Sequence, residues 1–183
     1  MRYAVIEEGI CTNVIEADGA FAAEIGAVPL PEGYGIGDSC TDGVWKVAAV
    51  EIDVEAARAA KHTELSEVCQ AVIYGGVTFG GKQYSLTDHD QAEIMAQLSF
   101  VKEGAAAVPY HANGELCRMV PAEEFAGIAQ AATAHIFYHR TYCNHLFAWL
   151  RRADYDEFGG ITYGAALPED LAENMRRIVE AAS

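Results

Sequence analysis

Positive charge is scarce in this sequence: 12 Lys and Arg stand against 27 Asp and Glu, a formal net charge of −15. A field of that sign repels phosphate backbones, which argues against binding nucleic acid through charge alone. No basic cluster longer than the pairs Arg151–Arg152 and Arg176–Arg177 offsets it. Paired-cysteine spacing is missing as well. The five cysteines, at positions 11, 40, 69, 117 and 143, include no CxxC and are odd in number. That pattern predicts reduced, mostly buried thiols and not a disulfide framework. The start, MRYAVIEEGI, lacks the long apolar core of a signal peptide. No apolar run approaches the roughly 18 residues needed to span a bilayer. These absences predict a chain made in a reducing cytoplasm, with no membrane insertion.

Signatures of common chemistry are lacking too. There is no GxxxxGK[ST], no GxGxxG opening a helix, no GxSxG and no HExxH, since position 136 is Ile. The run Gly33, Gly35, Gly37 leads towards a β-hairpin and has no βαβ context. No cofactor is expected.

What is present is a globular composition, 51% apolar and 21% charged over 183 residues, enough for one domain or two small ones. Residues 1–50 read as short strands. Tyr3–Ile6 and Cys11–Ile15 flank a turn at Glu7-Glu8-Gly9, and Ala20–Ile25 suits a short helix after Asp18-Gly19. Pro29 to Gly37 is punctuated by Gly and Pro and predicts a loop. Thr41-Asp42-Gly43 then turns into the strand Val44–Val47. Composition shifts near residue 51. Val54, Ala57, Leu65, Val68 and Val72 recur at helical spacing behind Asp53, a suitable N-cap. A hairpin is expected over Val77–Leu86 around Gly80-Gly81, and a helix after Thr87, with Asp90 completing a capping box and Ile94, Leu98 and Val101 buried. A second turn-centred pair surrounds Ala112-Asn113-Gly114.

Pro121 suits the first position of a long helix reaching about Arg152, a rod of about 45–50 Å. Phe125, Ile128, Ala132, His135, His139, Tyr142, Leu146 and Trp149 recur at alternating steps of three and four, a heptad spacing. Ile136, Cys143, Phe147 and Leu150 add a second apolar stripe, so this helix is expected at the centre, covered by other helices or other subunits. A last helix runs from about Pro168 to Ala182. The predicted fold is α+β: a small β-rich N-terminal module, residues 1–50, then a mainly helical domain, residues 51–183, with short hairpins and one long central helix.

Reactive side chains are read against plain packing. His135 and His139 share a helix face and could chelate one metal ion. Cys143 lies about 12 Å along the axis from His135 and cannot join them, so the simpler expectation is local hydrogen bonding within a core stripe. Asp88-His89-Asp90 fits capping and the helix dipole. The aromatics Tyr34, Trp45, Phe79, Tyr84 and Tyr110 fall on hairpins and loops, where they either pack the core or stack on sugars and partner pockets.

Those residues carry a resemblance. The opening Tyr3 to Ile15, with Gly35-Ile36-Gly37-Asp38 and Asp42-Gly43-Val44-Trp45, is similar to a short module that begins many phage tail-fibre and tail-associated proteins. The remainder resembles an uncharacterised domain family of tail-fibre and prophage proteins. It does so through Lys61 to Cys69, Tyr84-Ser85-Leu86-Thr87 with Asp90-Gln91, Val108 to Gly114, and Tyr138-His139 with Thr141-Tyr142 and Asn144. The resemblance brings no catalytic residues and implies a homo-oligomer, a trimer by analogy with tail fibres. The expected function is therefore a non-enzymatic structural or adaptor component of a phage or prophage tail, synthesised in the bacterial host cytoplasm and carried in the virion tail if retained. Its partners would be other phage tail proteins. The expected contact residues are Tyr34, Trp45, Tyr110, Phe125, Ile128, His135, His139, Tyr142, Leu146 and Trp149. The alternative is a tail-tip protein that binds a host surface glycan through Tyr34, Trp45 or Tyr110; a metal-dependent enzyme using His135 and His139 stands third.

Overall fold

In a computed structural model, residues 1–48 and 52–182 are described. The chain divides into two compact units, Met1–Ile52 and Asp53–Ser183; the boundary expected between residues 50 and 51 lies outside the described residues. The fold is α+β, with an antiparallel sheet at the N-terminus and a long central helix in the second unit.

In Met1–Ile52, β1 (Arg2–Glu7) and β2 (Ile10–Glu16) form a hairpin. Its turn residues Glu8 and Gly9 both take positive φ, the geometry whose twist matches that of the flanking strands. The register shifts between Val5 and Ile6, a bulge that bends the pair. α1 (Gly19–Glu24) is capped by the Asp18 carboxylate, which accepts from the Ala20 and Phe21 N–H groups. The stretch expected as loop from Pro29 contributes a strand after all. β3 (Val28–Pro29) pairs with β1, because Pro29 at a sheet edge needs no ladder N–H. β4 (Ser39–Thr41) and β5 (Val44–Lys46) complete a five-stranded sheet of order β3-β1-β2-β4-β5. Tyr3, Ala22 and Ala27 form its small core, with Val5, Ile15 and Ala17 against them.

In Asp53–Ser183, α2 (Val54–Tyr74) starts at Asp53, whose carboxylate accepts from the Ala56 N–H. Its buried stripe is Leu65, Cys69 and Ile73. The expected Val54 and Val68 are exposed instead, since the face that meets its neighbour follows steps of four from Leu65. A hairpin of β6 (Val77–Phe79) and β7 (Lys82–Tyr84) turns at Gly80-Gly81, both at positive φ. α3 (Asp88–Lys102) opens with the expected capping box between Thr87 and Asp90, a device that contributes about 1 kcal/mol. Ile94 is buried, and Leu98 and Val101 pack partly against the core.

β8 (Ala107–Tyr110) pairs with β9 (Arg118–Pro121). Their connection is longer than the tight Asn-Gly turn expected, and Leu116, expected in a strand, lies 91% exposed within it. Asn113 serves another purpose. Its side-chain oxygen accepts from the Ser85 N–H at 3.0 Å and its own N–H donates to Gln83, tying the loop to the neighbouring hairpin. α4 (Ala122–Arg152) has 31 residues, with Pro121 as its N-cap and Glu123 and Glu124 in the first turn. It runs through both cores. Phe125, Ile128, Ala129 and Ala132 pack with Ile94, Val108, Tyr110 and Val120. Leu146 and Leu150 pack with Leu65, Phe158 and Ile161. Each fully buried Leu, Ile or Phe contributes about 1.5–3 kcal/mol. A 3₁₀ helix (Tyr155–Gly160) follows α4, and α5 (Glu169–Ala182) is the last element.

Candidate functional site: an aromatic cleft beside His139

Where α4 passes α5, a cleft of about 580 Å³ opens, lined by Tyr138, His139, Tyr142 and Tyr163, residues 164–167, and the α5 face carrying Met175, Arg176 and Glu180. Helical spacing places Tyr138, His139 and Tyr142 on one side of α4. Tyr163 arrives from the segment after the 3₁₀ helix, and Gly164, at φ +98°, lets that segment turn back. The Tyr142 hydroxyl fastens it, donating to the Ala165 carbonyl at 2.6 Å and accepting from the Gly164 N–H at 3.0 Å. The rings of Tyr142 and Tyr163 meet edge to face at 5.3 Å, and those of Tyr138 and His139 at 5.2 Å. Such geometry favours aromatic pairs.

His139 Nδ1 lies 2.7 Å from the Tyr163 hydroxyl. Burial, and then the charge of neighbouring His135, hold the His139 imidazole below its ordinary pKa, which keeps the ring uncharged at neutral pH. Burial, followed by the nearby Cys69 and Cys143 thiols, pushes the Tyr163 hydroxyl up. Burial and then Cys69 push the Cys143 thiol up to about 12. The two thiols donate to backbone carbonyls, Cys69 to that of His139 at 3.5 Å and Cys143 to that of Leu65 at 3.7 Å. The Cys143 thiol, held so firmly protonated, is a poor nucleophile.

The His135 and His139 rings sit edge to face at 4.4 Å, with His135 Nε2 3.3 Å from the Val72 carbonyl. Among the described residues no group of three or more His, Cys, Asp and Glu is placed to hold a metal ion. Buried His145 spans from the Thr141 carbonyl at 2.7 Å to Asn174 Oδ1 at 2.9 Å, joining α5 to α4.

In Met1–Ile52 a second aromatic feature pairs Tyr34 with Trp45 at 5.4 Å, both half-buried. The Tyr34 loop is held by buried Asp38, whose carboxylate accepts from the Gly35 and Ala48 N–H groups, each at 2.7 Å.

Several expected contact residues are corrected by their burial. Phe125, Ile128 and Leu146 are sealed inside the second unit's own cores, so the heptad stripe of α4 is filled from within the chain and offers no seam there to another subunit. Tyr110 is buried too, stacked on Tyr84 at 6.0 Å and edge-on to Phe125 at 5.2 Å. His139 and Tyr142 come together in the cleft, with His135 behind them; Trp149 lies half-buried beside the second core. Asp88 and Asp90 occupy the first turn of α3, as capping requires.

Sequence reasoning missed Tyr163 and Met175 as parts of one site. A lone Tyr amid glycines was the available signal for the first. Among the described residues no helix is long and apolar enough to cross a membrane. Residues 56–166 match the family described as "Domain of unknown function (DUF4376)". No curated protein and no solved structure matches the chain.

Proposed function

We propose that this chain, which belongs to the DUF4376 family of domains of unknown function, is a structural or adaptor component of a phage or prophage tail, acting by protein contact and without catalysis. In this reading it is made in the bacterial host cytoplasm, meets other tail proteins, and is carried in the virion tail if retained. The observation behind it is the surface of Met1–Ile52. β5 is a sheet edge, and its backbone groups on the open side form a template for another strand. The pairs Ile10↔Ser39 and Thr41↔Val44 put Ile10 and Val44 on one sheet face, and both are exposed, as are Ile36 and Val47. So much bare apolar surface on so small a module suits a docking role. Assembly with copies or neighbours would then run through the sheet and not through α4.

Particles induced from the organism that encodes the chain provide the test. Quantitative mass spectrometry should find the chain at a fixed ratio to the tail proteins, and Val44→Lys should reduce its incorporation at least severalfold. Its absence from both particles and tail intermediates would sink the reading.

One observation favours a second reading. The adjoining Tyr34 and Trp45 rings, half-exposed on a loop tied down by Asp38, have the form of a sugar-stacking platform. Under this reading the chain binds a host surface glycan. A glycan array should then show binding that Trp45→Ala removes while the circular dichroism spectrum is unchanged.

A further inference from the structure

The cleft between α4 and α5 has a chemical character of its own. Its tyrosine hydroxyls are largely occupied within the chain: Tyr142 both donates and accepts, and Tyr163 is engaged by His139. What these side chains still offer a visitor is ring surface, and Leu167 and Met175 extend it. One inner polar atom remains. His139 Nε2 has no hydrogen-bond partner among the described residues. Among the described residues the only sealed polar side-chain atom lacking a partner is Gln97 Oε1, so the His139 nitrogen is open to the cleft. At about 580 Å³ the volume falls within the range of small-molecule sites.

The rim carries both signs of charge. Arg176 and Glu180 stand one turn apart on α5, each without an ion pair among the described residues, whereas Asp170, near the start of the same helix, is joined to Arg152 at the end of α4 by two bonds of 2.6 and 2.7 Å. An anion would meet Arg176 but be repelled by Glu180; a cation would meet the reverse. Only a ligand carrying both charges complements both residues.

We propose that this cleft binds a small aromatic zwitterion, its flat body against Tyr138, Tyr142 and Tyr163, its carboxylate towards Arg176 and its ammonium towards Glu180. The aromatic floor lies within the residues that match the family, and the charged rim lies beyond them. The site therefore joins a floor inside the matched residues to a rim outside them. It stands apart from the tail reading, which rests on Met1–Ile52, and the failure of either leaves the other intact.

The test is an amide NMR titration of the full chain with four matched probes: L-tryptophan, tryptamine, indole-3-propionate and indole. L-Tryptophan should saturate shifts at Tyr138, His139 and Tyr163 with a Kd below about 1 mM. Tryptamine and indole-3-propionate should each bind about threefold to fivefold more weakly. Arg176→Gln should erase the advantage over tryptamine, and Glu180→Gln the advantage over indole-3-propionate. Both are exposed helix positions that leave the core untouched. Ala172→Phe, filling the cleft from an exposed position, should abolish binding of every probe. Absence of saturation, indole binding as tightly as L-tryptophan, or binding that survives Ala172→Phe would each overturn the proposal.

Discussion

Met1–Ile52 closes its core with Tyr3, Ala22 and Ala27 and leaves Ile10, Phe21, Ile25, Ile36, Val44 and Val47 in solvent. Asp53–Ser183 buries Phe125, Leu65, Leu86, Ile128, Leu146, Leu150 and Ile161 almost completely, in two clusters threaded by one helix. The first unit is a sheet with little inside it; the second is a packed body whose openings are specific clefts. Core size governs how much stability a module holds by itself. A small sheet with bare apolar faces gains most from a partner.

The largest contrast should appear on truncation. Phe125→Ala is expected to cost about 3–5 kcal/mol in urea denaturation, while Phe21→Ala, at a residue 50% exposed, should stay within about 0.5 kcal/mol. A comparable loss at Phe21 would break the comparison by revealing a core in the first unit that this arrangement lacks.

Glycines at positive φ come next. A Cβ at Gly76 would run into the Tyr84 carbonyl, whereas one at Gly37 would meet nothing within 4 Å. Gly76→Ala should therefore lose about 2–4 kcal/mol, and Gly37→Ala only the backbone strain of about 1–2 kcal/mol. Equal losses in thermal melts would mean that the second unit is no more tightly packed at its turns.

How much of this was readable beforehand follows the same division between local and distant effects. Asp18, Asp53 and the Thr87–Asp90 box marked helix starts correctly, because a cap is settled within three or four residues of sequence. The length of α4 was equally legible from its unbroken apolar recurrence. The α2 stripe was misjudged because choosing Cys69 over Val68 depends on where α4 lies, and spacing within α2 does not contain that information. The cleft escaped notice for a similar reason. Tyr163 reaches His139 across 24 residues, and Cys69 reaches the His139 carbonyl across 70.

A smaller effect should separate the units by pH. The folded state holds His139 below its ordinary pKa, mainly through burial. The stabilisation from keeping the ring neutral is thus present above the unfolded value near 6.5 and fades as pH falls through the lower folded value. Denaturation midpoints of the second unit should drop on acidification in that window, and His139→Gln should flatten the drop. An unchanged slope in the variant would remove His139 from this role.

Thiol labelling gives the finest distinction, with no change in stability at all. Exposed Cys117 should alkylate first and half-buried Cys40 more slowly, while Cys11, Cys69 and Cys143 stay protected until the chain unfolds. Burial raises the Cys11 and Cys143 thiols further from reaction. Early labelling of Cys143 with iodoacetamide, read by peptide mass spectrometry, would show that the α2–α4 contact opens readily.

Arg58 sits near the start of α2, yet its guanidinium donates to the Leu150 carbonyl and to that of Ala153 at 3.2 Å, and lies 4.8 Å from the centre of the Phe158 ring. An early helix is thus completed by the far end of α4, some 92 residues downstream. On the ribosome, α2 must wait, its Leu65 face uncovered, until that distant stretch has emerged. Loop closure over so long a span slows folding. Synthesis rate and chaperone supply, more than the strength of any one contact, would then set the yield of the finished molecule.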